Sequence, residues 1–578
     1  MSLVAELKRR KVFRVAAAYA VVGWLVIQVA ATVAPQLNLP EWVPRLTTFL
    51  VLLGFPIAVV MAWVFDITPE GIKVDAASTG SKRVFAIATV LAALALGWYF
   101  RELPGKQAPT ATVATAVAPT TPPVSARSIA VLPFVDMSQD KDQEYFSDGL
   151  SEQLLNALAQ LPGLHVAGRT SSFHFKGRNE DLRVIGEKLN VATVLEGSVA
   201  KSGNTLRVTA QLINTADGFH LWSQTYDREF KDVFALQDEI ANNVVAALKL
   251  KLLPGQAPAV QRSADTQAYD SYLLGRKLMG QDSMTGWHGA MAAFAEAVKR
   301  DPDYAAAYAE LAESSYEVSY DYTDARQVVA AQAKALEYAQ TAIRLDPALA
   351  AGYRARARIR VETAFDFPGA LADIQRALEL TPGDSAVQEQ AGNIFSALGR
   401  FDDAQGALDR AVDLDPLSPR AISSLAQFFR VRGQLAQSQD LYVRAEQLAP
   451  GTSVGLSGLT QSLLLDGKLD KALATAQRLP DPPRRLFCEA LVLHSLGRAP
   501  ESDRALAELI RGHAAGWAYQ VGVAYAWRGQ RDLAFQWLDR AHAQQDGGLL
   551  LVKTDPLLAN LHGDPRFTAL LKKIGLPP

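Results

Sequence analysis

The chain has 578 residues, room for roughly three to five ordinary domains or one long array. Hydrophobic residues make up 49% and charged residues 20%, which excludes a wholly disordered chain, and 58 Lys+Arg against 60 Asp+Glu leave a net charge of -2 with no global pull toward nucleic acid or an anionic surface. The single cysteine, Cys488, excludes an internal disulfide and any multi-cysteine metal or iron–sulfur site.

Three uncharged runs open the chain: Val15–Ala34, Leu46–Phe65 and Val84–Phe100. A bilayer core takes about 20 apolar residues per helix, so the runs predict transmembrane α-helices over 15–34, 46–65 and 84–100, the last one short. Trp24, Trp42, Trp63, Trp98 and Tyr99 lie mostly near their ends, where amphipathic rings prefer the interface. A cleaved signal peptide and buried helices of a folded domain are the rival readings of these runs. Lys8, Arg9, Arg10, Lys11 and Arg14 precede the first run, and Lys73, Lys82 and Arg83 follow the second. Positive segments stay inside, which predicts a cytoplasmic N-terminus at a bacterial inner membrane and a periplasmic bulk after Phe100. Residues 1–103 then form a membrane segment. Residues 104–126, rich in Pro, Thr and Ala with one charge, form an extended tether.

Residues 127–252 alternate in period. Ser128–Phe134 is β-rich. Tyr145, Phe146, Leu150, Leu154, Leu155, Leu158 and Leu161 recur at helical spacing, and Gly163 marks a stop. A short strand near 164–167 and a helix near 182–189 follow. The 191–200 strand, the alternating Leu206, Val208, Ala210 and Leu212, and the 219–226 strand make a meander, closed by a helix from Asp232. The sum is a small α/β sandwich domain.

The stretches SIAVLPFVDMSQDKDQEYFSDGLSEQLLNAL, GRTSSFHFKG, VLEGSVAKSGNTLRVTAQLINTADGFHLWSQTYDR and FALQDEIA resemble the TolB-N-terminal-like (FlgO-like) domain of proteobacterial envelope proteins. The resemblance implies a non-catalytic module placed before TPR repeats. Relatives of this layout often carry a winged-helix or nucleotide cyclase domain on the cytoplasmic side. About fourteen residues precede the first run here, so neither activity carries over.

Prolines then recur at 302, 347, 382, 416 and 450, each with alanine five residues earlier: Ala297, Ala342, Ala377, Ala411 and Ala445. Phe294, Ala339, Ile374, Leu408 and Tyr442 stand eight residues before those prolines, and Gly399, Gly433, Gly467, Gly497 and Gly529 carry the period onward. A 34-residue unit with small–large–small packing residues is the TPR pattern. About eight repeats over 265–548 are expected, with an insertion near Asp321–Ala333, an unusual Arg358 at a small-residue position, and a capping helix pair over 549–578. Ordinary TPR geometry lines a concave groove with Glu389, Asn393, Ser423, Gln427, Arg430, Ser457 and Gln461, a site for a protein or peptide segment. Solvated helix positions are the plain alternative.

Catalytic patterns are scarce. Gly451-Thr452-Ser453-Val454-Gly455 fits the nucleophile-elbow spacing, but a helix rather than a strand is predicted before it. No phosphate loop or His-Glu-x-x-His occurs. His165, His174 and His220 lack ligand spacing, the acidic stretch Asp136–Asp148 lacks the calcium-loop glycine, and Cys488 reads as buried and inert. The expectation is a multi-domain chain of transmembrane α-helices, a small α/β sandwich and an α-solenoid of TPR repeats. Its expected role is that of a membrane-anchored, non-enzymatic scaffold for envelope proteins, without cofactor, metal or nucleic acid. The alternative is a transmembrane sensor or signalling subunit with a cytoplasmic partner.

Overall fold

The computed structural model describes residues 19, 21–28, 47, 51, 54, 65–68, 71–74, 125, 127–138, 144–161, 163–202, 205–229, 233–247, 263, 265–280, 283–322 and 324–577. Two compact units divide the chain, Met1–Thr120 and Thr121–Pro578.

In the first unit, residues 21–28 are helical, and β1 (Phe65–Thr68) pairs antiparallel with β2 (Gly71–Val74), Phe65 opposite Val74. The expectation of transmembrane α-helices is corrected here. No helix among the described residues is long and apolar enough to cross a membrane. Phe65, taken above as the end of the second run, belongs to a strand. Phe-Asp-Ile-Thr and Gly-Ile-Lys-Val carry strand-like alternation, which the uncharged-run count did not weigh. The greater part of the runs 15–34, 46–65 and 84–100 lies outside the described residues, as does the 104–126 tether apart from Ser125.

The second unit opens with the α/β domain. Its elements are β3 (Ser128–Val131), β4 (Val135–Asp136), α1 (Glu144–Ala159), β5 (His165–Val166), α2 (Arg169–Phe173), α3 (Leu182–Leu189), β6 (Thr193–Ser202), β7 (Thr205–Asn214), β8 (His220–Glu229) and α4 (Val233–Ala247). The strands form one sheet in the order β5-β3-β6-β7-β8, with β4 beside β6. β3 runs parallel to β5 and β6, and β6-β7-β8 is an antiparallel meander. Gly197, in mid-strand, is required. A Cβ there would stand 2.2 Å from the Thr209 carbonyl and 2.6 Å from the Phe134 ring. Asp181 caps α3 by accepting from the Arg183 N–H, and Asn190 ends it in the left-handed region at φ 52°.

Eight helix pairs follow: α5 (Thr266–Met279) with α6 (Met284–Arg300), α7 (Ala305–Ser319) with α8 (Ala325–Leu345), α9 (Ala350–Ile359) with α10 (Phe367–Leu380), and α11 (Ser385–Ala397) with α12 (Phe401–Leu414). The others are α13 (Pro419–Val431) with α14 (Leu435–Leu448), α15 (Ser453–Leu465) with α16 (Leu469–Ala476), α17 (Pro482–Ser495) with α18 (Ala499–His513), and α19 (Ala518–Trp527) with α20 (Arg531–Ala543). This is a TPR-like helical repeat solenoid. Gly399, Gly433, Gly467, Gly497 and Gly529 turn one helix into the next at φ of 72° to 78°, a conformation that favours glycine. Gly392 lets Leu408 of the partner helix sit where its Cβ would be, at 2.5 Å.

Two departures have clear causes. The extra residues near Asp321–Ala333 lengthen α8 to 21 residues instead of forming a loop, because Asp324 caps its start and accepts from the Arg326 N–H. The tail is not a helix pair. It makes two 3-10 turns, Gly547–Leu551 and Pro556–Leu561, and one helix, α21 (Pro565–Lys573), each restarted by an aspartate cap: Asp546, Asp555 and Asp564.

The α/β domain and the array share one core. Tyr269, Leu273, Phe294 and Leu311 of the first two pairs pack with Phe146, Leu150 and Leu154 of α1. A second weld joins α2 to the α12–α13 turn. The Ser171 N–H donates to Asp415 Oδ1 (2.6 Å), the Leu417 N–H donates to Ser171 Oγ (2.8 Å), and the Gly168 N–H donates to the Leu414 carbonyl. Gly149 of α1 makes the first weld close, since its Cβ would lie 2.3 Å from Leu273. Gly149→Val is expected to destabilise the protein by about 1–3 kcal/mol. Adding Leu273→Ala should recover part of the melting temperature lost to the clash. A wild-type melting curve for the single variant would show that the domain and array do not share this core.

Candidate protein-binding face of the repeat array

The first helices of successive pairs stack, and the proposed groove residues fall in columns on them. Glu389, Ser423 and Ser457 are 34 residues apart, as are Asn393, Gln427 and Gln461, on α11, α13 and α15. Within each helix the spacing is four, which puts both columns on one face. Arg430 continues that face at the end of α13.

The structure places three of the seven inside. Glu389, Ser423 and Arg430 are buried, at 6%, 6% and 3% exposure, and Asn393, Gln427, Ser457 and Gln461 are half-buried. Most are already engaged. Glu389 Oε1 accepts from Arg420 Nε (3.1 Å) and from the Ser424 hydroxyl (2.9 Å), and Asn393 Nδ2 donates to Ser424 Oγ at 3.5 Å. Gln461 Nε2 donates to Ser457 Oγ (3.4 Å), which lies 3.7 Å from Cys488 Sγ. Burial pushes the Cys488 thiol up to about 12, far from a reactive thiolate.

Arg430 faces the tail. Its Nη1 lies 3.6 Å from Asp555 Oδ1, and the Tyr519 hydroxyl donates to Asp555 Oδ2 at 2.9 Å. The Tyr519 N–H donates to Asp546 Oδ2 (2.9 Å) and the Gly548 N–H to Asp546 Oδ1 (3.0 Å). Burial raises the Asp546 carboxyl to about 6 despite those donors. The last pair and the tail also reach back along the array: Phe365, between α9 and α10, stacks on His542 of α20 at 5.7 Å, and Gly547 leaves room for the Tyr316 and Tyr320 hydroxyls of the second pair.

Leu549, Leu550, Leu557, Leu558, Leu561 and Phe567 of the tail are at most 8% exposed. At ~1.5–3 kcal/mol per buried large side chain, their burial is worth roughly 10–20 kcal/mol as an upper bound. A micromolar partner supplies about 8 kcal/mol. The tail is therefore an integral part of the folded array, and Arg430 of the expected groove faces its Asp555.

Sequence reasoning missed a second cluster. Buried Glu313 of α7 takes Arg354 (2.9 Å) and Arg358 (3.0 Å), and Arg358 also holds Glu317 (2.8 Å) and Glu362 (3.2 Å). Arg356 and Arg360 both hold Asp373, at 2.6 and 2.7 Å. Burial alone would raise the Glu313 carboxyl, but Arg354 and Arg358 outweigh it and hold it at about 2. Arg-Ala-Arg-Ala-Arg-Ile-Arg over 354–360, with Glu310, Glu313 and Glu317 on the preceding first helix, was the available signal.

The other candidates stay apart. Ser453 begins α15 after the helix α14, so no strand precedes it. His165 Nδ1 meets Arg410 at 3.3 Å, His174 meets Arg178 at 2.9 Å, and His220 lies exposed on β8. Among the described residues, no group of three His, Cys, Asp or Glu is placed to hold a metal ion.

Residues 125–243 match the family model of the HilA/YgeH-like transcriptional regulator, second domain. A protein of Rhizobium meliloti (strain 1021) named as an adenylate cyclase is 40% identical over 186 residues. The match covers 32% of this chain and 32% of that protein, so this chain spans about a third of the relative's length. Among solved structures, the human IFIT1 dimer with m7Gppp-AAAA aligns over 54% of this chain and 77% of its own, at 14% identity and a TM-score of 0.37. A thermophilic TPR protein of Thermus thermophilus aligns over 36% of this chain and 99% of its own, at 22% identity and a TM-score of 0.28.

Two outcomes follow from the Arg430–Asp555–Asp546 arrangement. Asp555→Leu leaves the Arg430 charge buried and unpaired, and should lower stability by about 3–5 kcal/mol in denaturant titrations. Arg430→Met with Asp555→Leu should recover most of that loss, and a strictly additive double variant would show that the two do not interact. Asp546 sets a pH dependence of opposite sign to an ordinary paired carboxylate. Below pH 3.8 it is protonated folded and unfolded. Between 3.8 and about 6 only the unfolded chain ionises, so the fold loses stability as pH rises, and above about 6 the loss is complete. The stability of Asp546→Asn relative to wild type should therefore grow by about 2 kcal/mol from pH 4 to 7. A flat difference would refute it.

Proposed function

We propose that this protein is a non-enzymatic protein-interaction scaffold whose partners are proteins or peptides. The observation that carries the reading is the TPR-like array of eight stacked helix pairs, welded at two places to an α/β domain. Such a body presents fixed surfaces. Its inner charges are neutralised within the chain, and its one thiol is buried and held in the neutral form. The half-buried Gln427 is the inner-face position offered to a partner segment, with the half-buried Gln461, already bonded to Ser457, beside it on α15. The resemblance of residues 128–252 to modules of envelope proteins supports looking for those partners in the cell envelope.

A second reading has its own support. The α/β domain matches a domain of a transcriptional regulator, and a relative sharing a third of its length is named as an adenylate cyclase. The domain and array then serve as the regulatory part of a signalling system, and the partner supplies the output.

The test is in two parts. Purified full-length protein with ATP and Mg²⁺ should form no cyclic AMP. Formation of cyclic AMP by the chain itself would sink the scaffold reading. A photo-crosslinker at Gln427 or Gln461 should capture one defined protein in cells, and a crosslinker in that protein should capture this chain in return. Crosslinks confined to the chain's own tail would remove the inner face as the binding site.

A further inference from the structure

The sheet of the α/β domain ends in an open edge. β8 is last in the strand order, and no strand among the described residues pairs with its outer side. The opposite edge, β5, is two residues long, whereas β8 has ten. Long edges are usually blunted by lysine, proline or an overlying element. His220–Glu229 contains neither lysine nor proline, and only Tyr226 in it is buried. The single irregularity, a register shift between Leu212 and Ile213, leaves Leu221 unmatched at one end. From Trp222 to Glu229 the strand keeps an unbroken register with Leu212–Thr205 of β7.

We propose that β8 is a self-association edge, where two copies of this chain pair antiparallel about a two-fold axis at Thr225. Such an axis, normal to the sheet, keeps each side chain on its own face, so the pairing must centre on a residue. Thr225 is one of the two central residues of the regular stretch, Tyr226 being the other. That centre sets Thr225 opposite itself, Gln224 opposite Tyr226, Ser223 opposite Asp227, and Trp222 opposite Arg228. No like charges face each other. The Ser223 hydroxyl can donate to the Asp227 carboxylate, and the Arg228 guanidinium meets an indole, a favourable cation–π pairing. Arg228 keeps its bond to Glu239 (2.8 Å) through Nη2.

Neighbouring registers are worse. A centre at Gln224 sets His220 opposite Arg228. A centre at Tyr226 leaves Trp222 facing position 230, past the strand's end at Glu229. Phe219 and Leu221, 71% and 49% exposed, lie at the end of the paired stretch and come under the partner's strand end. The union makes one continuous sheet from two six-stranded ones.

Sedimentation of the full-length protein across a concentration series tests this, with Thr225→Cys and Thr225→Lys beside wild type. Wild type should reach a dimer. Thr225→Cys should crosslink to itself with a short bis-maleimide, because Cβ atoms of residues directly opposite lie about 4.5–5.5 Å apart and the native thiol at Cys488 is buried. Asp217→Cys, in the exposed turn before β8, should not crosslink. Thr225→Lys puts two ammonium groups at the axis and should weaken the dimer at least about tenfold with an unchanged melting curve. A wild-type monomer overturns the proposal, including the case where Thr225→Cys crosslinks only to a different protein. A dimer indifferent to Thr225→Lys and not crosslinked by Thr225→Cys overturns it equally, since association would then use another face.

Discussion

Charge that has left water must be answered by charge nearby, and the inner face of this array is built around that constraint. An unpaired ion in a protein interior is penalised by several kcal/mol, so a buried arginine fixes where an acid has to be. Arg358 is answered from three carboxylates on two helices, Glu313, Glu317 and Glu362. Arg430 is answered from the far end of the chain by Asp555. These pairings do more than neutralise. Apart from Arg358–Glu362, which are four residues apart, each joins segments distant in sequence, so the polar interior sets the register of the repeats while the alanines, glycines and leucines between helices set their spacing.

The same constraint governs the junction with the α/β domain. Glu152 of α1 accepts from Arg169 Nε at 2.7 Å and is met from the array by Arg276, which also reaches Glu310. Burial would raise the Glu152 carboxyl, yet Arg276 and Arg169 hold it below its usual value. Lys176 is shared between Asp148 and Glu144 at the rim. Domain and array are consequently one folding unit with a common apolar core.

Much of this was legible in the sequence. Periodic glycines announced the intra-pair turns because left-handed backbone is cheap only for that residue, and their φ values carry the same signature. The alternation of Leu206, Val208, Ala210 and Leu212 announced a half-buried strand because side chains in a strand point to opposite faces. What escaped was long-range. Nothing local in Arg430 says that Asp555 will face it, and a TPR pattern read one repeat at a time leaves the inner face open by default. The expectation of transmembrane helices is corrected at Phe65 for a related reason. Counting uncharged residues ignores the period-two pattern that takes Phe65 into a strand. Arg358 was seen to break the repeat pattern, but its glutamate partners lie in the neighbouring repeat.

The weld between α2 and the α12–α13 turn also has a consequence in time. Ser171 and Asp415 are 244 residues apart in sequence. At ~5–20 residues per second, a ribosome needs roughly 10–50 s to travel between them. Throughout that interval the Gly168 and Ser171 N–H groups can bond only to water, and the face of the α/β domain around Leu182 that Leu417 will cover stays wet. The α/β domain is thus finished late, and it closes only when the fourth helix pair has been made and turned back to meet it.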